Sequence, residues 1–438
     1  MSALTPAQVQ AKVLATQVRP GPVHTLLILL AAGLAALGGW CWSRIIVHGM
    51  VLTGLNRPVG WAFLITNFVF WVGIAHSGTL LSAILLLFRA RFRTAVYRAA
   101  EAMTVFGIMT AGLFPVIHLG RPWFAYWLFP YPNERHLWVN FRSPLLWDVF
   151  AVSTYLIVSV IFLTVGMIPD MAALRGAARG WRRRFYSFFA FGWNGSAEEW
   201  RYYARAYVYF AGFATPLVVS VHSVVSWDFA VSMLPGWHST LFPPYFVAGA
   251  IFSGVAMVVT ILIPLRRALH LEELVTLRHL DMLSRLVLLM SLIVTYSYVV
   301  EILFALRWGP EAERSTLMYR AMGDYAPWFW AMAVCNCLCP LLFFTKRFRG
   351  SPAALLTVCI LVNVGMWIER FIIIVGSLSH DRLPFAWGLY RPTLYEIGIT
   401  AGAFGWFFFW LLLFIRFFPA VSIAEMKESV AREALDAT

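Results

Sequence analysis

Charge is what this chain has least of. Only 13% of its 438 residues are Asp, Glu, Lys or Arg, where soluble domains carry about 25%. Set beside 61% hydrophobic residues, that shortage excludes an ordinary soluble protein. Cysteine is also scarce, with five in all and none spaced Cys-x-x-Cys. Cys335, Cys337 and Cys339 fall together in the apolar stretch CNCLCP, with Cys335 and Cys339 expected on one helix face. Iron–sulfur ligation normally draws four thiolates from Cys-x-x-Cys loops, so these cysteines read as ordinary membrane packing. No Walker loop, dinucleotide fingerprint or zinc motif is present.

What the chain does have is apolar runs. A bilayer core about 30 Å thick needs about 20 apolar residues to cross as a helix, and such windows recur about ten times. The expected spans are 25–47, 60–88, 99–118, 146–168, 204–227, 243–265, 283–306, 328–345, 352–376 and 393–418. A membrane β-barrel would instead show alternating segments of about 10 residues. The fold class is therefore an all-α integral membrane protein. The first span reads as a retained helix, because no small-residue cleavage site follows it.

The formal net charge of +13 invites a nucleic-acid reading, but the positions of the charges oppose it. They fall in short loops between apolar spans: Arg89, Arg91, Arg93 and Arg98; then five arginines in RGAARGWRRR; then Arg266, Arg267 and Arg278; then Lys346, Arg347 and Arg349. The loop between spans five and six has no Lys or Arg. Basic loops mark the cytoplasmic side. The alternation puts both termini there and requires an even number of spans.

This orientation gathers six ionisable groups toward the external third of the membrane: His118, Asp148, Asp228, Glu301, Glu369 and Arg370. Charged residues within spans are costly and usually face a cavity or a partner. Each alone could be an interface anchor or a structural ion pair, and Asp148 alone a helix-start carboxylate. Adjacent on a helix, Glu369 and Arg370 should point about 100° apart. Haem is not expected: an axial pair needs two histidines at similar depth, and only His118 with His222 meets that condition.

A quinol suits such a site. It has an apolar ring and two hydroxyls, and its oxidation releases two electrons and two protons. A histidine accepts a proton near neutral pH, a carboxylate can pass the second onward, and an arginine keeps a neighbouring carboxylate ionised. Toward the other face lie His76, Ser82, Glu101, Tyr209 and Asp281. They could form a proton path or be solvated helix ends; His76 and Glu101 are the stronger candidates. A redox-free secondary transporter is the rival from a different class, although transporters usually place their site at the midplane.

The stretches ITNFVFWVGIAHSGTLLSAIL, RAAEAMTVFGIMTAGLFPVIHLGRPW, SPLLWDVFAVSTY, SVHSVVSWDFAVSMLPGWHSTLFPPYFVAGAIFSG and VNVGMWIERFIIIV resemble the NrfD/PsrC family of polysulfide reductase membrane subunits. Within it they are most similar to the quinol-oxidising type of alternative complex III. The resemblance covers about residues 25 to 418. It implies two four-helix bundles, 60–227 and 243–376, flanked by helices 25–47 and 393–418, with a cytoplasmic segment 1–24 and tail 419–438. It implies a quinol site near the positive side of a bacterial inner membrane, with His118, Asp148, Asp228 and Arg370 as catalytic residues. His222, Glu301 and Glu369 are expected to line the pocket. The quinone, menaquinone or ubiquinone, is the cofactor, with no haem or iron–sulfur cluster in this chain. Implied partners are an iron–sulfur subunit, a paralogous membrane subunit, multihaem and monohaem cytochrome c subunits, and lipid, but no nucleic acid. The same family also offers the membrane anchor of a molybdopterin reductase as an alternative.

Overall fold

The computed structural model describes residues 5–16, 21–87, 96–130 and 143–436. Arg89, Arg91 and Arg93 of the first basic loop lie outside them. Among the described residues there are no strands, and ten helices are long and apolar enough to cross a membrane. With no water to satisfy backbone groups, a helix that bonds to itself is the solution open to such segments.

The crossing helices are α2 (Pro22–His48), α3 (Phe63–Leu87), α4 (Tyr97–His118), α5 (Pro144–Ala177), α7 (Ala197–Ala230), α8 (Phe242–Ala268), α9 (Leu277–Arg307), α11 (Ala326–Ala333) with its continuation to Phe344, α13 (Pro352–Phe371) with its π-turn to Gly376, and α14 (Leu394–Phe417). Each matches one expected span. Between and beyond them lie shorter helices that hydropathy does not reveal: α1 (Pro6–Ala15), α6 (Gly180–Phe189), α10 (Glu311–Met322), α12 (Lys346–Arg349) and α15 (Ile423–Asp436).

Boundaries move where polar residues continue a helix past its apolar window. The start of α7 lies seven residues before 204, at a capping box in which Ser196 and Glu199 exchange bonds with each other's backbone. At the other end, α5 runs nine residues past 168, through Pro169, to Ala177. Span eight is not a regular helix. It passes through a π-turn at Val334–Leu338 and a 3₁₀ segment at Cys339–Phe344. Pro340 lacks the N–H that would continue the ladder, and Ser291 Oγ donates to the freed carbonyl of Asn336 at 2.7 Å. The expectation that Cys335 and Cys339 share a regular helix face is therefore corrected.

Helices α3, α4, α5 and α7 pack together, as do α8, α9, α11 and α13. Contacts of α3 and α7 with α8 join the two groups through one continuous core. The flanking pair α2 and α14 approach closely enough that a Cβ on Gly38 would lie 2.7 Å from Gly402 Cα, a small-residue contact of the kind membrane helices use. At one end of the molecule α1 packs on α15, and Lys12 of α1 pairs with Glu273 in the α8–α9 connection. Both α1 and α15 thus sit at the end that carries Arg266, Arg267, Lys346 and Arg347, called here the basic end.

Candidate functional site

Away from the basic end, α4 terminates at His118, α5 carries Asp148 in its second turn, and α7 carries Asp228 near its close. The carboxyl groups of Asp148 and Asp228 are close neighbours. Beside them the rings of Trp147 and Trp227 meet edge to face at 5.7 Å. Asp148 Oδ1, Asp228 Oδ1 and His118 Nδ1 are all buried without a hydrogen-bond partner among the described residues. Buried polar atoms are normally paired, so three orphans at one end of one bundle mark a place where something else supplies the bonds.

The second group forms around Glu369. Its Oε1 accepts from Tyr245 at 2.5 Å, and its Oε2 accepts from Tyr298 and, at 3.4 Å, from Asn336 Nδ2. Asn336 sits in the π-turn, a device common at functional sites, which aims its amide at this cluster. Arg370 points inward and is 2% exposed. Its partner is the adjacent Glu369. Adjacency on the helix did not keep the pair apart, because the long guanidinium curls back. The guanidinium carbon lies 4.9 Å from the ring centroid of Phe246, and Gly249 leaves it room against α8. Phe246 in turn packs on Phe229 at 5.6 Å. Two aromatic rings thus join α7 to the arginine.

Glu301 belongs to a third contact. Arg320 of α10 reaches it at 3.2 Å and also bonds Gly236 O at 3.0 Å and Ser377 Oγ. His222 meets His76, not His118. The two rings lie 4.7 Å apart, too close to bracket a porphyrin, and all four of their nitrogens are buried without partners among the described residues.

From His76 a file of polar groups continues toward the basic end. Tyr155 Oη and Thr104 Oγ1 both donate to Ala75 O, at 2.7 and 2.8 Å, and Thr79 N donates to Thr104 Oγ1 at 2.9 Å. Side chains are thereby inserted into the α3 ladder at the turn of His76. One turn further, Glu101 Oε1 accepts from Ser82 at 2.6 Å and from Tyr207 at 2.7 Å. Arg98 is not a loop arginine as the spans implied. It is buried within α4, held by Asp170 at 2.9 Å and flanked by Glu101 at 3.8 Å. Of the other inner residues considered, Tyr209 is 76% exposed, and Asp281 pairs with Arg349 and Arg285, each at 2.7 Å. Neither joins the file.

Among the described residues no cluster of three or more His, Cys, Asp or Glu could hold a metal ion. The sequence reading missed Tyr245, Tyr298, Asn336, Arg320 and Asp170. Asn336 was the one legible in principle, as the single polar side chain in CNCLCP.

Residues 51–380 match the family model described as polysulphide reductase, NrfD. The chain belongs to this family. Over 410 residues it is 27% identical to a putative dimethyl sulfoxide reductase membrane subunit of Halobacterium salinarum, with 87% of each chain covered. A Hdr-like menaquinol oxidoreductase integral membrane subunit of Archaeoglobus fulgidus is 23% identical over 53% of this chain and 48% of its own. A selenate reductase subunit of Mesobacillus selenatarsenatis is 24% identical over 48% of this chain and 49% of its own.

Proposed function

We propose that this NrfD-family chain is the quinol-binding membrane subunit of a multi-subunit oxidoreductase, with its site at the Asp148–Asp228 pair and His118. The observation that carries the reading is the trio of buried, unpartnered atoms, His118 Nδ1, Asp148 Oδ1 and Asp228 Oδ1. Their chemistry fits a ring with two hydroxyls, and the adjoining Trp147 and Trp227 offer it apolar surface. When bound, the quinol supplies two electrons and two protons.

The chain's own groups then have separable tasks. His118 Nδ1 accepts a hydrogen bond and a proton. The facing carboxyls of Asp148 and Asp228 hold a second proton between them. Arg370 and Glu369, with Tyr245 and Tyr298, brace the neighbouring wall through Phe246. The basic loops at the opposite end favour an orientation with this site on the positive side of a bacterial inner membrane. Electrons leave to an iron–sulfur subunit. The file from His222 and His76 to Glu101, bridged by water at its orphaned nitrogens, is a candidate proton path.

Two assemblies would use such a subunit. The motifs HLGRPW and WIER and the ten spans resemble the alternative complex III type, which would add cytochrome c subunits. The names of the Halobacterium and Mesobacillus relatives favour the anchor of a molybdopterin reductase, and the Halobacterium match extends over 87% of each chain. Purifying the complex and identifying haem c or molybdopterin decides between them. The site itself is tested by steady-state oxidation of a menaquinol analogue by the assembled complex. His118→Ala and Asp228→Asn should each lower turnover about 10²- to 10⁴-fold with the complex intact. Wild-type turnover in the double variant would refute the assignment.

A further inference from the structure

A crevice of about 670 Å³ opens between α2, α8 and α14 at the basic end. Its walls are apolar, with Leu27 and Leu34 from α2, Ile261 from α8 and Phe408 from α14. Leu27 remains 44% exposed, so the slot is open along its side. At its mouth stand His24 and Arg416. Their Nε2 and Nε atoms are buried without a hydrogen-bond partner among the described residues. Neither residue has a carboxylate within ion-pair distance among those residues, and both line the crevice.

We infer that this crevice is a binding site for an anionic phospholipid. The slot grades from hydrocarbon-lined to cationic over its length, which is the gradient of a phospholipid from acyl chain to phosphodiester. Basic pockets between membrane helices on the side of positively charged loops recognise such headgroups. Arg416 supplies the charge, and its planar fork suits two phosphate oxygens. His24 adds a second donor or acceptor from the facing helix. The site lies on the flanking helices, away from the quinol pocket and the polar file, and its occupation bridges α2 and α14 to α8.

The test uses the complex reconstituted in phosphatidylcholine nanodiscs doped with photoactivatable phosphatidylglycerol or photoactivatable phosphatidylcholine, with adducts mapped by peptide mass spectrometry. Phosphatidylglycerol should label the α2, α8 and α14 segments, and phosphatidylcholine should label them weakly. Inorganic phosphate in excess should not compete, because the acyl chain contributes to binding. The double variant His24→Gln/Arg416→Gln should lose about fivefold in phosphatidylglycerol labelling while quinol oxidation is unchanged. Equal labelling by the two lipids, undiminished labelling of the variant, protection of all three helices by another subunit, or competition by free phosphate would each overturn the inference. Should the variant not assemble, the comparison of the two lipids on the wild-type complex decides alone.

Discussion

The imidazole rings of His76 and His222 lie 4.7 Å apart, tilted by 53°, at the junction of α3 and α7. Both are fully buried, and no protein group within the described residues bonds any of their nitrogens. Such atoms weaken a fold; replacing them with an apolar shape can be neutral or stabilising. We expect His222→Phe and His76→Phe to preserve assembly and thermal stability but to slow quinol turnover at least tenfold. Thermal denaturation beside steady-state oxidation separates the two effects. Unchanged turnover would remove the histidines from the proposed proton path.

Arg370 offers the opposite case. It is a buried cation whose removal strands Glu369 in the core. Breaking a buried pair costs about 3–5 kcal/mol because it leaves an uncompensated buried charge, which neutralising both partners together avoids. Arg370→Ala should therefore destabilise the protein strongly, Arg370→Lys should fail to restore the planar contact with Phe246, and Glu369→Gln/Arg370→Met should recover most of the stability. Chemical denaturation in detergent measures the series, and wild-type stability in the lysine variant would contradict it.

A glycine series on α3 tests how tightly the first bundle is built. A Cβ on Gly78 would lie 2.0 Å from the carbonyl oxygen of Ala100, a backbone atom that cannot swing aside. On Gly73 its nearest contact would be Ser253 Oγ at 3.5 Å, an ordinary distance. Overpacking typically costs about 1–3 kcal/mol, and a backbone clash belongs at or above the top of that range. Gly78→Ala should reduce the folded yield sharply and Gly73→Ala should not, as fluorescence-detected size exclusion would show.

His380 lies beyond α13, stacked between Tyr319 of α10 at 4.5 Å and Trp387 at 3.7 Å, with Ser315 bonded to its Nε2 at 2.7 Å. Burial holds its pKa below 6.5. A depressed histidine contributes stability that is present above the unfolded value and is lost as pH falls through the folded one. The docking of α10 should thus be constant above about pH 6.5 and weaken below it. Hydrogen exchange of residues 311–322 across that range reports it, and His380→Phe should flatten the profile.

The sequence disclosed the ten spans because continuous hydropathy requires no knowledge of neighbours. It disclosed the depth of His118, Asp148 and Asp228 for the same reason. Partners were another matter. Arg98 stood one residue before an apolar window and so counted as a loop charge; its burial depends on Asp170, 72 positions away. Depth set His222 beside His118 and His76 toward the other face, whereas the helix rotation and packing bring His222 against His76. The π-turn that aims Asn336 leaves no trace in hydropathy, and the curl of Arg370 onto Glu369 depends on space left by a glycine of another helix.

Asp170 also accepts the backbone N–H groups of Ile423 and Ala424, each at 3.0 Å, and so caps α15. The carboxylate that balances an arginine in the first bundle is therefore completed by residues synthesised after all ten spans. A chain cut short before Ser422 would leave one oxygen of that buried carboxylate unsatisfied, although every span would already be made. The helix α15 is in this sense a late clamp on the first bundle. Its seat on α5 ties the first bundle to residues that follow the last span.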